Sequence, residues 1–233
     1  MTAETPRIAI LGMGKMGREV DTLAQERGVD VVARLDLAAV SDRPGAMAAL
    51  KRAQVAIDFT SPEAAVPNIE FCLEAGCPVV VGTTGWYGEL ARVRGLVEKR
   101  NGALLWAPNF SVGVALVRAL CARAGELLRG LEGYDVHLTE IHHKQKKDAP
   151  SGTALLLRDA LASSGREVPI TSVRTGSHPG RHEVTIDGPY EQITIAHDAR
   201  SRRVFADGAL RAALWLRGRK GVFTMDDVLA ETR

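Results

Sequence analysis

The stretch Glu140-Ile141-His142-His143-Lys144-Gln145-Lys146-Lys147-Asp148-Ala149-Pro150-Ser151-Gly152-Thr153-Ala154 sets two histidines and three lysines ahead of a helix start. Ser151-Gly152-Thr153 would expose backbone N–H groups there, and cations facing a helix N-terminus make a site for a carboxylate or a phosphate. A histidine beside such a site can give or take a proton near neutral pH. The residue types therefore point to acid–base work on a small anion. Zinc is disfavoured, because His142 and His143 are neighbours on a strand and point to opposite faces, and no cysteine or third histidine stands at a ligand spacing; no metal is expected. The loop has no aromatic side chain on which a base would stack, which argues against nucleic acid. A plain solvated charge run is the competing reading.

A second constellation lies near the start. Gly12-Met13-Gly14-Lys15-Met16-Gly17 spells G-x-G-x-x-G between a strand and a helix, the context in which the string carries information. Gly12 permits the tight turn, Gly14 lets the backbone approach a pyrophosphate, and Gly17 lets helix and strand pack closely. The helix N-terminus supplies unpaired N–H groups to the anion. Asp36 ends the next strand, 36 − 14 = 22 positions after Gly14, where an acid commonly binds the adenosine ribose hydroxyls. It would repel a 2′-phosphate, which favours NADH, and Leu37 follows it rather than an arginine. Lys15 could accept that phosphate instead, so NADPH stays open.

Three further loops follow strands on the same sheet: Phe59-Thr60-Ser61-Pro62, Gly82-Thr83-Thr84-Gly85 and Pro108-Asn109-Phe110. Ligands of open parallel sheets sit beyond the carboxyl ends of the strands. Small and hydroxylated residues there would let a flat ring lie against the backbone. Ordinary turn chemistry is the alternative.

The elements that must position these groups alternate in the first half. Short apolar runs at 7–11, 29–35, 55–59, 78–81 and 103–107 read as strands. Helical patterns lie at 16–27, at 62–75 behind the cap Ser61 and Pro62, and at 89–100. Strand–helix alternation predicts a parallel sheet covered on both faces. After Asn109 the pattern changes. A helix over about 112–131 precedes a strand at 134–141, the basic loop and a helix from 151 to about 163. Strands at 171–174, 182–186 and 192–197 are bunched together, which suggests an antiparallel or mixed sheet. The tail returns to helix at 205–216 and 225–230. The fold class is thus α/β: a Rossmann-like parallel-sheet domain plus a smaller α+β domain with a mixed, largely open sheet. The expected division is 1–111 for dinucleotide binding, 112–201 for substrate binding and oligomerisation, and 202–233 as C-terminal helices packing back on the first domain.

Composition bounds the partners. The 233 residues are 45% hydrophobic and 25% charged, long enough to bury a core without a disulfide or metal staple. A formal net charge of +2 lacks the electrostatic footprint of a nucleic-acid binder. No apolar run reaches the ~18 residues of a membrane span. The polar opening, Met1-Thr2-Ala3-Glu4-Thr5-Pro6, reads as no signal peptide. Cys72, Cys77 and Cys121 are odd in number and suit buried small hydrophobes in a reducing compartment, so cytoplasm is expected.

Taken together, these residues resemble the dihydrodipicolinate reductase (4-hydroxy-tetrahydrodipicolinate reductase) family over nearly the whole chain. The resemblance rests on the glycine loop, Asp58-Phe59-Thr60, Val81-Gly82-Thr83-Thr84-Gly85, and Ala107-Pro108-Asn109-Phe110-Ser111-Val112-Gly113. It continues in His142 to Ala154, Arg174-Thr175-Gly176, Ala199-Arg200-Ser201-Arg202, Phe205-Ala206-Asp207-Gly208-Ala209 and Gly221-Val222-Phe223-Thr224-Met225. It implies NAD(P)H-dependent reduction of a small cyclic imine dicarboxylate on the diaminopimelate route to lysine. His142 would be the proton donor, with Lys146 also assigned to proton donation. His143, Ser151, Gly152, Thr153 and Arg202 would bind substrate. Gly12, Met13, Gly14, Lys15, Met16, Gly17 and Asp36 would hold the adenosine and pyrophosphate half of the cofactor. Gly82, Thr83, Thr84, Ala107, Pro108, Asn109 and Phe110 would line the nicotinamide half. A homotetramer built through the second domain's sheet is implied as well. The alternatives are another two-domain NAD(P)-dependent dehydrogenase, such as an amino-acid dehydrogenase, and a non-catalytic dinucleotide sensor.

Overall fold

The computed structural model describes residues 5–36 and 42–231. Leu37 and the first four residues, on which the signal-peptide reading rests, lie outside them. The chain divides into two compact units, Met1–Phe110 with Arg203–Arg233, and Ser111–Arg202.

In the first unit β1 (Arg7–Leu11), α1 (Lys15–Glu26), β2 (Asp30–Leu35), α2 (Arg43–Arg52), β3 (Val55–Asp58), α3 (Pro62–Glu74), β4 (Val79–Val81), α4 (Leu90–Lys99) and β5 (Ala103–Trp106) alternate. The second unit holds α5 (Val112–Leu128), β6 (Asp135–His142), α6 (Gly152–Ala160), β7 (Ile170–Arg174), β8 (Arg181–Asp187) and β9 (Gln192–Asp198). The chain then returns to the first unit as α7 (Arg203–Leu216), β10 (Gly221–Phe223) and α8 (Met225–Ala230).

The first sheet runs β10-β5-β4-β3-β1-β2, with every described pairing parallel. β3 and β4 are buried at every position, as strands covered on both faces must be. β2 lies on one side of β1 and β3 on the other, so the order reverses between β1 and β3. That reversal opens a crevice at their carboxyl ends. α7 packs on α1 and across β3, β4 and β5. It comes so close that a Cβ on Gly208 would overlap the Phe110 carbonyl.

Two elements escaped the sequence reading. α2 lies between β2 and β3, where no element was expected. Asp42 caps the helix by accepting from the Gly45 N–H at 2.9 Å, and Pro44 sits in the first turn, where its missing N–H costs nothing. β10 is too short for periodicity to show, and it completes the sheet beside β5. α5 ends at Leu128, short of the expected 131, since Gly130 takes the left-handed conformation (φ +80°) that stops a helix.

The second sheet runs β7-β6-β8-β9, with β6 and β7 parallel and the other pairs antiparallel. β6 alternates strictly, burying Val136, Leu138, Glu140 and His142. The first two enter a core with Val117, Cys121 and Leu128 of α5 and Ala154 and Leu157 of α6. The same period of two carries a carboxylate and an imidazole inward behind them. All three cysteines are free and buried. No helix among the described residues is long and apolar enough to cross a membrane.

Candidate active site

The glycine loop sits at the β1–β3 crevice. Gly12 has φ +83°, donates its N–H to the Leu35 carbonyl at 2.8 Å, and would press a Cβ on Thr60 Cγ2 at 2.7 Å. The bond to Leu35 ties the loop to the end of β2, next to the exposed Asp36. A Cβ on Gly17 would collide with the Gly12 carbonyl, whereas Gly14 has open space around it. Gly14 caps α1 without a side-chain bond, and no acid lies in the first turn. The first N–H groups of α1 are thus left for an anion, beside exposed Lys15 and half-buried Met13 and Met16. This arrangement fits a pyrophosphate.

Behind the neighbouring loops lies a hub that the sequence reading named only as part of a motif. The carboxylate of Asp58, wholly buried, accepts from Thr83 Oγ1 at 2.6 Å, Asn68 Nδ2 at 2.7 Å, Thr60 Oγ1 at 2.9 Å and the Thr60 N–H at 3.1 Å. Burial pushes its pKa up, and these hydrogen bonds oppose the shift. Thr83 Oγ1 also accepts from the Thr60 N–H at 2.8 Å, and the Thr83 carbonyl accepts from the Trp86 indole at 2.9 Å. The hydroxyl and carbonyl of Thr83 are therefore taken up in shaping the loop pair, while Thr84 is exposed and Gly82 half-buried. Gly82 cannot carry a side chain, since a Cβ would enter the Phe59 ring. Phe59 stands edge-on to Phe110, with centroids 6.1 Å apart. Phe110 and Ala107 are buried, Pro108 is exposed and Asn109 half-buried.

In the second unit the sheet register assembles the basic-loop chemistry. Glu140 stands opposite His182 on β8, and His142 opposite Arg174 on β7. Glu140 is wholly buried. Its Oε1 accepts from Arg174 Nη2 at 2.6 Å and from the Ser151 N–H at 3.3 Å, and its Oε2 lies against His142 Nδ1. Arg174 also donates to the Asp148 carbonyl at 2.6 Å, fastening the loop. Ser151 caps α6 by accepting from the Ala154 N–H at 3.2 Å, and its hydroxyl meets His182 Nε2 at 3.1 Å. The His182 ring stands edge-on to His142 at 5.1 Å.

Charges in this cluster set one another. Burial pushes Glu140 up, but Arg174, Ser172 and His142 outweigh it and hold the carboxyl below its usual range. His142 is lowered, first by burial, then by the charges of Lys146 and Arg174, with Glu140 opposing them. His182 is lowered to about 4, by burial and then by His142. Lys146 donates to both oxygens of Asp148, at 2.7 and 2.8 Å. Burial raises Asp148, and Lys146 together with the Asp148 and Gly152 N–H groups lowers it further than that.

Glu140, His142 and His182 also bring ligand-type atoms within 4.8 Å of one another. The carboxylate already holds a guanidinium and faces the imidazole directly, and that positive surrounding opposes a metal cation.

His143 lies just past the end of β6. With Lys144, Gly176, Ser177 and exposed Arg202 it lines a recess of about 500 Å³. The His143 N–H bonds the His178 carbonyl at 2.9 Å, which clips the loop to the 175–178 turn. Gly152 is exposed and Thr153 half-buried in the first turn of α6. The sequence-derived residues of this unit thus separate into a buried His142–Ser151 cluster and a basic recess at His143 and Arg202. Lys146 acts electrostatically on the first. Glu140, Arg174 and His182 were not singled out from sequence. A charged residue at an inward position of β6 was the signal available for Glu140.

Comparison with known proteins bears on both units. The chain matches the family model for the dihydrodipicolinate reductase N-terminus over residues 6–110 and that for its C-terminus over residues 113–229. It is 38% identical to the 4-hydroxy-tetrahydrodipicolinate reductase of Christiangramia forsetii, over 96% of this chain and 98% of the relative. The same identity and coverage hold for the enzyme of that name from Thiobacillus denitrificans, where the match spans 270 positions, so that relative carries segments this chain lacks. Among solved structures, a dipicolinate-bound dihydrodipicolinate reductase from Paenisporosarcina sp. TG-14 shares the fold with a TM-score of 0.79 at 24% identity, covering 94% of this chain and 97% of that one. An amine dehydrogenase from Mycobacterium smegmatis shares it more loosely, with a TM-score of 0.63 at 13% identity and 95% of each chain covered. Matches that meet end to end across both units, at this identity and with the Glu140–Ala154 chemistry assembled, place the chain in the dihydrodipicolinate reductase family.

Proposed function

We propose that the protein is a 4-hydroxy-tetrahydrodipicolinate reductase, which reduces the dehydrated cyclic imine of that compound to tetrahydrodipicolinate in the diaminopimelate route to lysine. The carrying observation is the full-length family match joined to a buried imidazole, His142, held on a carboxylate within one loop of a helix N-terminus. A reduced nicotinamide, when bound, supplies the hydride that adds to an unsaturated carbon of the substrate ring. The electron pair displaced by that addition takes a proton, which His142 or Lys146 delivers. Positioned proton transfer of this kind contributes roughly 10²–10⁴-fold.

Gly152 and Thr153, at the start of α6, hold one substrate carboxylate together with Ser151. Asp148 engages the Gly152 N–H and Lys146, a carboxylate in the surroundings a substrate carboxylate would take. His143 and Arg202 in the basic recess bind the remaining negative charge of the substrate. A doubly negative ligand also raises the pKa of His142, opposing the burial that lowers it.

Residues 12–17 hold the cofactor pyrophosphate. Asp36 binds the adenosine ribose and favours NADH, while Lys15 leaves NADPH usable. Gly82, Thr84 and residues 107–110 line the nicotinamide half through their backbone, with Thr83 shaping the wall. The first unit is thus the dinucleotide-binding domain and the second the substrate-binding domain. We assign a homotetramer built on the second sheet. In support, β9 is its edge strand and exposes Ile193, 48% accessible, and the adjoining Tyr190, 100% accessible. The cytoplasm suits three buried free cysteines.

The test is a coupled assay that generates the cyclic dicarboxylate from pyruvate and aspartate semialdehyde and follows loss of NADH or NADPH absorbance. Substrate-dependent oxidation of either cofactor supports the reading. Cofactor binding without turnover, or turnover of amino acids alone, rejects it.

A further inference from the structure

The geometry points to Glu140 as a positioning residue that holds His142 through Nδ1, so that the Nε2 edge of the ring is the one presented to the reactant. The inference rests on the reading of His142 as proton donor and goes beyond it by naming what aims and tunes the donor.

The observations are independent of one another. Strand alternation carries Glu140 and His142 to the same buried face of β6, two residues apart. Glu140 Oε2 lies against His142 Nδ1. Its Oε1 is fixed by Arg174 Nη2 at 2.6 Å, and the Ser151 N–H adds a second bond at 3.3 Å. A carboxylate anchored on one oxygen by a guanidinium offers the other as an acceptor only, so this contact favours the tautomer with hydrogen on Nδ1. Nε2 then holds the exchangeable proton, the arrangement in which a base or acid is oriented by a third group. Gly180 lies close to Nε2, and only the absence of a side chain there keeps that edge uncrowded: a Cβ would stand 3.1 Å away, tighter than an ordinary contact.

The groups that face His142 come from every neighbouring element. They are Glu140 on its own strand, Arg174 on β7, His182 on β8 and Lys146 from the loop. Behind His182 lies His197 of β9. Glu140 is the one negative charge among them. Burial and the cations push His142 towards the neutral form, and Glu140 works against that.

The decisive measurement reads the tautomer directly. Long-range ¹H–¹⁵N spectra of the ¹⁵N-labelled full chain, with the His142 signals assigned by their loss in His142→Gln, should show neutral His142 carrying its proton on Nδ1. In Glu140→Gln the population should shift towards Nε2–H, and the alkaline limb of the kcat–pH profile should move down by about one pH unit. There kcat at neutral pH should fall by roughly 10–10²-fold, with KM changed less than about 3-fold. Glu140→Asp should recover part of the limb position. A neutral His142 protonated on Nε2 in the unaltered protein overturns the proposal whether or not either variant folds. So does a limb that stays in place in Glu140→Gln. If His142→Gln keeps full kcat, the donor reading itself fails; if it loses kcat while Glu140→Gln leaves tautomer and limb untouched, the positioning role alone fails.

Discussion

Acid should loosen the second unit through His182. This imidazole is 4% accessible, and burial followed by the charge of His142 lowers its pKa from 6.5 to about 4. The unfolded chain therefore takes up a proton on His182 at higher pH than the folded one. Its contribution to stability is fully present above about pH 6.5 and is lost as pH falls towards 4. A shift of that size corresponds to about 3 kcal/mol in full, and roughly 2.5 kcal/mol of it is lost between about pH 7.5 and 4.5. Because His182 and His142 stand ring to ring, the loss belongs to the pair, with His182 the deeper member. The perturbation is His182→Gln. Urea unfolding of the full chain at a series of pH values, following the transition of the second unit, gives the stability difference between the two proteins. At neutral pH the variant is less stable by whatever the lost Ser151 contact and packing were worth. Titrations shared by both proteins cancel in the difference, so only its change with pH matters. That difference should shrink by about 2 kcal/mol or more on acidification. A difference that stays constant over the whole range would refute the argument that His182 is held neutral by burial.

The chemistry offers sharper outcomes. His142→Gln should lower kcat by roughly 10²-fold or more with a much smaller rise in KM, and an unchanged kcat in steady-state assay rejects the donor role. Lys146→Ala should lower kcat and raise KM together; a change in KM alone would confine it to binding. Asp36→Ala should weaken NADH more than NADPH in titrations of both cofactors, and equal losses would mean that Asp36 does not read the ribose. Asp58→Ala strips the acceptor from Thr83, Asn68 and Thr60, and should cost the first unit about 3–5 kcal/mol in denaturant unfolding. A loss below about 1 kcal/mol would show that those donors find other partners.

Much of this protein could be read along the chain because the signals are local. Alternating strands and helices dictated a parallel sheet, and the glycine spacing at residues 12–17 located the tight turn. The helix start near Ser151-Gly152-Thr153 followed from residue type alone. Other features needed the folded chain. α2 hid behind Pro44-Gly45, because a proline and a glycine serve a helix start as well as a turn, and only the neighbouring strands decide between them. The Asp58 hub joins Asn68 from α3 and Thr83 from beyond β4, and the partners meet only once β3 and β4 pair in register. Glu140 could be seen to face inward, yet its neighbours Arg174 and His182 stand 34 and 42 positions further along (174 − 140 and 182 − 140). Which of the later charged and imidazole side chains would lie opposite it depends on strand order and register. Periodicity states which face a residue takes; it is silent on what the facing strand presents, because hydrogen-bonded pairing is indifferent to sequence distance. The chemical groups were therefore set by the chain, and their partnership by the sheet.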